Sequence, residues 1–162
     1  RDLFLFSCYT GISYGDMCLL TKDDLVTDEN GTLWIRTSRK KTKVEYEVPL
    51  LEVPLHILSK YRDVEPNGKL WPMYCNSDVN KYLKTIATKC GINRRIVFHA
   101  ARHTYATEIT LSHGVPLETV SKMLGHTRVD TTQIYAKVTD DKINADTKRL
   151  DNKISERFTI AI

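Results

Sequence analysis

Four side chains in the second half of the sequence are of types that act on phosphodiesters. His99 and Arg102 are three residues apart at the start of a predicted helix, which puts both on one helix face. His126 follows a Leu-Gly pair at a predicted helix end, and Tyr135 is nine residues further on. A guanidinium grips phosphate oxygens, an imidazole hydrogen-bonds them or moves a proton, and a phenol can attack phosphorus to form a phosphotyrosyl link.

A basic tip between two β-rich segments adds a candidate acid. Residues 38–43 read Ser-Arg-Lys-Lys-Thr-Lys. A lysine on such a tip, with Lys41 at its centre, can protonate a departing 5′ oxygen, and enough positive charge around the phosphate makes a metal ion unnecessary. The ordinary interpretation of such a charge run is a solvated turn.

Each feature taken alone also has an ordinary structural interpretation. A helical His–Arg pair is commonly a surface or capping pair, a histidine after a helix-terminal glycine commonly meets the helix dipole, and a lone tyrosine commonly packs. His99 and His103 are four residues apart, but the glutamate of a His-Glu-x-x-His zinc site is absent. We expect no metal site, and the combination of groups favours phosphodiester chemistry.

The segment that carries these residues resembles the signature of tyrosine recombinases of the phage integrase family. Residues 99–138 read HAARHTYATEITLSHGVPLETVSKMLGHTRVDTTQIYAKV. His-x-x-Arg-His-Thr, then Leu-Gly-His, then Tyr nine residues later is a highly specific pattern. Residues 6–20, FSCYTGISYGDMCLL, resemble the family's first motif, and the strand ending in Val-Pro-Leu at 48–50 resembles its β-hairpin. The resemblance therefore covers nearly the whole chain.

The resemblance implies a role for each matching residue. Tyr135 would attack the scissile phosphate and form a 3′-phosphotyrosyl intermediate, while His99, Arg102 and His126 would line the phosphate. Asp16 matches an acidic position of the first motif, which supports the site without reacting. The phosphotyrosyl bond keeps the energy of the broken bond, so no cofactor is implied.

The resemblance also implies the general acid and the partners. Lys41 would be the acid, with Lys40 and Lys43 as weaker alternatives and candidate DNA contacts. The partners would be double-stranded DNA attachment sites, further copies of the chain in a homo-tetramer on paired sites, and accessory DNA-bending proteins. The fragment alone is expected to bind DNA weakly and to be monomeric without DNA.

One position departs from the family pattern. The family normally carries an arginine after Thr-Gly-Leu, whereas here Ser13 follows Thr-Gly-Ile. Losing one preorganised donor typically costs about 10²–10³ in rate. The enzyme is then dead, slow, or supplied with another arginine. We favour Arg39, two residues before Lys41 and on the same strand face if the strand continues that far; Arg36 would be on the opposite face. This departure resembles that of some conjugative-transposon integrases and favours a mobile-element integrase.

The hydrophobic patterns predict the elements that position these residues. Asn30-Gly31 indicates a hairpin turn. Strands are expected over Asp24–Val26, Leu33–Thr37 and Val44–Leu50. Helices are expected around Leu3–Tyr9 and over Tyr14–Leu20, Val53–Tyr61, Asp78–Lys89, His99–His113, Pro116–Leu124, Thr131–Lys137 and Asp140–Arg157. The predicted fold class is α+β, mostly α-helical, with a small three-stranded antiparallel sheet.

Length and composition are those of a globular domain. The chain has 162 residues, with 41% hydrophobic and 27% charged residues and a net charge of +4. No apolar run is long enough to cross a membrane. Four cysteines without a secretory signal favour free thiols in the cytoplasm, here of a bacterium. We expect residues 1–162 to be a catalytic domain whose N-terminal core-binding and arm-binding domains are not included. The apolar end, Phe158–Ile162, would dock on its own domain or on a neighbouring protomer.

Three functions compete. The first is a site-specific recombinase that integrates or excises a mobile element through a Holliday junction. The second is a DNA-binding module that has lost catalysis, for which Ser13 is the main support. The third is a type IB topoisomerase, which uses similar chemistry to relax supercoils, although the short Leu-Gly-His to Tyr spacing favours the integrase branch.

Overall fold

The first two helices of the chain, with the loop between them, contribute residues to the candidate active site. The computed structural model describes residues 1–62, 68–136 and 140–156. Helix α1 spans Asp2–Thr10 and ends at Gly11, whose positive φ of 70° lets its N–H bond back to the Ser7 carbonyl. Helix α2 spans Tyr14–Met17, and the hydroxyl of Ser13 caps it at the Asp16 N–H.

The sheet comes next and presents one side to the core. A 3₁₀ turn over Lys22–Asp24 leads into β1 (Leu25–Thr27), which is followed by β2 (Leu33–Ser38) and β3 (Glu45–Pro49). The order is β1-β2-β3, all antiparallel, with Ile35 opposite Val48 and Thr37 opposite Tyr46. Alternation along β3 buries Tyr46 and Val48 and exposes Glu45 and Glu47, so the buried side faces the helices.

The elements that follow the sheet are helices. Helix α3 spans Glu52–Tyr61 and α4 spans Asn76–Lys89. Helix α5 (Ala100–Thr104) continues without a break into a π-helical segment, Tyr105–Thr110, and a 3₁₀ turn, Leu111–His113. Helices α6 (Leu117–Met123), α7 (Asp130–Gln133) and α8 (Asp140–Ser155) follow.

The core joins the sheet to α1 and α5. Helix α1 packs against α3, α5 and the π-helical segment, and α6 packs against β3 and α7. The fully buried apolar side chains include Phe6, Ile12, Ile35, Val120 and Leu124. Because the core draws on both halves of the chain, it fixes three parts relative to one another: the loop between α1 and α2 (residues 11–13, the first-motif loop), the hairpin of β2 and β3, and α5.

The predicted fold class is confirmed, with shifted element ends. Tyr14–Leu20 was predicted too long, because the helix ends at Met17. The predicted helix over Thr131–Lys137 is also wrong in extent: the helix covers Asp130–Gln133, and Lys137 lies outside the described residues. The apolar end, 158–162, lies outside them as well. In the described part of the chain, no helix has the length and apolar character needed to cross a membrane.

Candidate active site

Arg102 is the buried centre of the site. Its side chain, on α5, is 2% exposed. Nη1 donates to the Gly11 carbonyl at 2.6 Å, and Nη2 donates to the Leu124 carbonyl. Burial, reinforced by the nearby Arg39 cation, lowers the pKa of Arg102 to about 10. Among the described residues its hydrogen bonds go to neutral carbonyls and no ion pair is formed, which suits the buried guanidinium to an anionic ligand.

Asp16 gathers the first-motif loop and the hairpin at one carboxylate. It is 3% exposed. Its Oδ2 accepts from Arg39 Nη1 at 2.5 Å and from the Ser13 hydroxyl at 2.8 Å, and its Oδ1 accepts from the Lys40 backbone N–H at 2.8 Å. The Tyr46 hydroxyl donates to Oδ2 at 3.4 Å. The carboxylate therefore holds Arg39 beside Ser13, the position where the family pattern has an arginine.

The hairpin tip separates Arg39 from the lysines. Strand β2 ends at Ser38, and the turn closes through the Lys43 N–H bonding to the Arg39 carbonyl at 2.8 Å. Lys43 adopts a φ of 59° in this turn. The strand alternation that would align Arg39 with Lys41 therefore stops short of Lys41. Lys40, Lys41 and Lys43 are exposed, and Lys41 makes no hydrogen bond or ion pair with any described residue.

Arg36 lies on the other side of the hairpin, as its strand position predicts. Its Nε donates to Glu47 at 3.0 Å, and both side chains are more than half exposed. The structure therefore places Arg39 at the site and Arg36 away from it.

His126 contacts α7 and is within electrostatic range of both arginines. Its Nδ1 is 2.7 Å from the hydroxyl of Thr132, which is fully buried. Burial, with added repulsion from Arg102 and Arg39, lowers the pKa of His126 to about 4. The imidazole is therefore neutral near pH 7, and its Nε2 has no hydrogen-bond partner among the described residues.

Tyr135 joins this group through a row of aromatic rings. Its ring is 8% exposed and meets the His103 ring edge-on at 4.9 Å between centroids. His103 meets His99 in the same way at 5.0 Å. Tyr135 also interacts electrostatically with Arg102. Burial, with added repulsion from His103, Arg102 and Arg39, lowers the pKa of His99.

A cavity of about 360 Å³ opens beside His99 and Arg102. Its lining includes Ser13, Tyr14, Asn80, His99 and Arg102. The amide oxygen of Asn80 accepts the Phe98 N–H at 2.7 Å, which ties the residue before His99 to α4. The described residues contain no group of three or more His, Cys, Asp or Glu side chains arranged to hold a metal ion.

The structure also shows site residues that the sequence analysis did not assign. Tyr46 donates to Asp16, Thr132 bonds to His126, and His103, considered only as a zinc ligand, contacts Tyr135. The alternation of β3 signals that Tyr46 faces inward. The three-residue spacing of Thr132 and Tyr135 predicts that they are neighbours. It does not predict the hydrogen bond between Thr132 and His126.

The sequence of the chain is similar to known recombinases over most of its length. The profile described as "Phage integrase family" matches residues 1–142. A tyrosine recombinase of Thermosipho africanus is 31% identical over 143 residues, which cover 83% of this chain and 48% of the relative. The tyrosine recombinase XerD of Listeria monocytogenes is 34% identical over 145 residues, covering 80% and 47%. The chain thus spans about half the length of these relatives.

Comparison by structure agrees on the fold. The XerH site-specific recombinase, in a post-cleavage complex with its difH substrate, superposes with a TM-score of 0.72 at 21% identity, covering 93% of this chain and 45% of that one. The Tn1549 transposon integrase, in complex with a circular intermediate DNA, gives a TM-score of 0.69 at 19% identity, covering 91% and 57%. At these identities the likeness establishes a shared fold.

Proposed function

The chain belongs to the phage integrase family, and we propose that residues 1–162 form the catalytic domain of a site-specific DNA recombinase that integrates or excises a mobile element. The observation that carries this proposal is that Tyr135, His99 and His126 each lie within electrostatic range of the buried Arg102, which lines a cavity together with His99. These groups come from three separate segments of the chain, and together they supply a phenol, two imidazoles and a buried guanidinium.

In the proposed reaction Tyr135 exchanges one phosphate ester for another. Its phenolic oxygen gives its proton to the His99 imidazole and attacks phosphorus, a 3′-phosphotyrosyl bond forms, and the bond to the 5′ oxygen breaks. Arg102, Arg39 and the imidazoles offset the charge on the non-bridging oxygens. Lys41 gives its proton to the leaving 5′ oxygen. A 5′ hydroxyl from the partner duplex then reverses the step, and two such exchanges pass through a Holliday junction.

We assign to Arg39 the charge that Ser13 does not supply. Two features support this: Arg39 shares the Asp16 carboxylate with Ser13, and its charge acts on Arg102, His99 and His126. Arg39→Ala should reduce cleavage about 10²–10³-fold, the loss typical of one preorganised donor. Arg36→Ala is the matched control, because its guanidinium lies on the other side of the same hairpin.

Lys41 is assigned as the general acid because it occupies the tip of a hairpin that Arg39 anchors at the site. A DNA substrate with sulfur in place of the 5′ leaving oxygen needs no proton, since a thiolate is a stable leaving group. Lys41→Ala should therefore cleave this substrate at nearly the wild-type rate and the ordinary substrate slowly. If Lys40→Ala or Lys43→Ala shows this rescue instead, the assignment moves to that lysine.

The proposal extends to partners and setting. In the full-length protein, N-terminal core-binding and arm-binding domains would complete a clamp on double-stranded attachment sites, and four copies would assemble on paired sites with accessory DNA-bending proteins. The fragment alone would bind DNA weakly and remain monomeric. The bacterial sources of the relatives named above support a bacterial host, in whose cytoplasm a recombinase of genomic DNA would act.

Covalent trapping tests the function. Full-length protein is mixed with nicked suicide duplexes drawn from the DNA that flanks its own gene, and products are separated on a denaturing gel. The expected result is a protein–DNA adduct in wild type that is absent in Tyr135→Phe. Site-specific binding without an adduct would instead indicate a DNA-binding module. Relaxation of supercoiled DNA lacking any target site would indicate a topoisomerase.

A further inference from the structure

Thr132 connects two parts of the site that lie in different segments. Its side chain is fully buried on α7. Its hydroxyl is 2.7 Å from His126 Nδ1, and its carbonyl accepts the Tyr135 N–H at 3.0 Å. Thr132 thus contacts both the His126 imidazole and the backbone of Tyr135, the proposed nucleophile.

The burial of Thr132 decides the direction of this hydrogen bond. Among the described residues, His126 is the sole hydrogen-bond partner of the Thr132 hydroxyl. If the hydroxyl accepted a proton from Nδ1–H, its own buried O–H would lack an acceptor, which costs roughly 1–3 kcal/mol. If it donates to Nδ1, the hydroxyl proton and the ring nitrogen are both satisfied. The second arrangement places the proton of the neutral ring on Nε2.

The charges that face His126 make this tautomer matter. Arg102 approaches from α5 and Arg39 from the hairpin, and together with burial they keep the ring uncharged near pH 7. A neutral imidazole donates from one nitrogen only. With Nδ1 engaged by Thr132, the unpartnered Nε2 is the nitrogen that can reach a ligand, and an anionic phosphate oxygen requires a donor there.

We propose that Thr132 is a positioning residue that fixes His126 as the Nε2–H tautomer, so that the neutral ring donates a hydrogen bond to a non-bridging oxygen of the scissile phosphate. The proposal rests on the proposed recombinase function for the identity of the ligand. The tautomer itself is a property of the free protein.

The direct test reads the tautomer without any activity. Full-length protein is labelled with ring-¹⁵N histidine, and the His126 signals are assigned by their loss in His126→Gln. The expected wild-type pattern is a protonated Nε2 and an unprotonated Nδ1. Thr132→Val, which keeps the shape and removes the hydroxyl, should give a mixture of both tautomers. A protonated Nδ1 in wild type would overturn the proposal, and so would an unchanged ring in Thr132→Val.

Cleavage of the suicide substrate supplies the second readout. Thr132→Val should cleave about 10–100-fold more slowly, as is typical when the partner of a functional histidine is lost. Thr132→Ser, which restores a hydroxyl, should recover to within about threefold of wild type. Equal losses in both variants would mean that packing alone matters and would overturn the proposal. If no variant or wild type forms an adduct, the proposed function fails while the tautomer result still stands.

Discussion

The stem of Arg39 lies directly over Gly125. A Cβ placed on Gly125 would be 2.8 Å from Arg39 Cγ and 2.9 Å from Tyr46 Cδ1, and Gly125 has a φ of 63°. The loop that carries His126 and the hairpin that carries Arg39 therefore approach each other across a residue without a side chain. This contact sets how deeply the Arg39 guanidinium reaches into the site.

Gly125→Ala should displace Arg39 as well as strain the backbone. Gly31→Ala is the matched control, because Gly31 also has a positive φ, of 80°, but open space around it. Each variant should lose about 1–2 kcal/mol of unfolding free energy from the left-handed backbone. Gly125→Ala should lose more than this in urea unfolding and should cleave slowly, like Arg39→Ala. Equal stability and equal cleavage in the two variants would contradict the close approach.

Asp16→Asn should be strongly destabilising. It would leave the half-buried Arg39 guanidinium without its anionic partner, and removing one member of a buried pair typically costs about 3–5 kcal/mol. Glu47→Gln breaks the exposed pair with Arg36 and should cost no more than about 1 kcal/mol. Urea unfolding of both variants checks the contrast, and a loss as small in Asp16→Asn as in Glu47→Gln would show that Asp16 does not hold the hairpin.

The free energy of unfolding should decrease as the pH falls below about 6.5. The pKa of His126 is lowered from 6.5 to about 4, and that of His99 is lowered too, so the unfolded chain takes up protons first as the pH drops. The part of the unfolding free energy that comes from keeping these two histidines uncharged is complete above about pH 6.5. It is lost as the pH falls from 6.5 to 4. His126→Gln should flatten this part of the profile, measured by urea unfolding at a series of pH values.

Two features separate this effect from other titrations. Asp2 and Asp28 have carboxyl pKa values lowered from 3.8, so their contributions are lost at lower pH. Thr127→Ala, an exposed and non-titrating neighbour of His126, should keep the wild-type profile. A His126→Gln profile as steep as that of wild type would show that His126 is readily protonated in the folded protein.

His103→Ala should affect the placement of Tyr135. The edge-on contacts of His103 with Tyr135 and His99 are each of a kind worth about 0.5–1.5 kcal/mol beyond burial. We expect adduct formation about 3–10-fold slower in His103→Ala, and near-normal rates in His103→Phe, which keeps an aromatic ring. If His103→Phe were as slow as His103→Ala, a polar role for the imidazole would replace the packing role.

The sequence predicted the helices and the hairpin because their signals are local. Asn30-Gly31 lies in the turn between β1 and β2, where Asp28 Oδ1 accepts from the N–H groups of Asn30 and Thr32. Helix ends were less predictable, since they depend on tertiary contacts. Gly11, for example, ends α1 where Tyr105 and Leu124 leave no room for a side chain.

The types of the site residues were also predictable, but the hydrogen bonds and ion pairs between them were not. The strand positions of Arg36 and Arg39 predicted that they lie on opposite sides of the hairpin. The bond of Thr132 to His126 and the shared use of Asp16 depend on side chains that meet only after folding. Lys41 shows the limit of periodicity, because the two-residue alternation ends with the strand at Ser38.

The hydrogen bonds of Arg102 affect which site residues such a domain would keep after losing its activity. Its guanidinium ties the carbonyl that ends α1 to the carbonyl that ends α6, so the same atoms would serve both folding and the proposed phosphate recognition. A gene copy released from selection for recombination, but still selected for a folded product, would be expected to keep Arg102 while Tyr135 drifted. Arg102 alone therefore does not distinguish an active integrase from an inactive copy, and Tyr135 distinguishes them better.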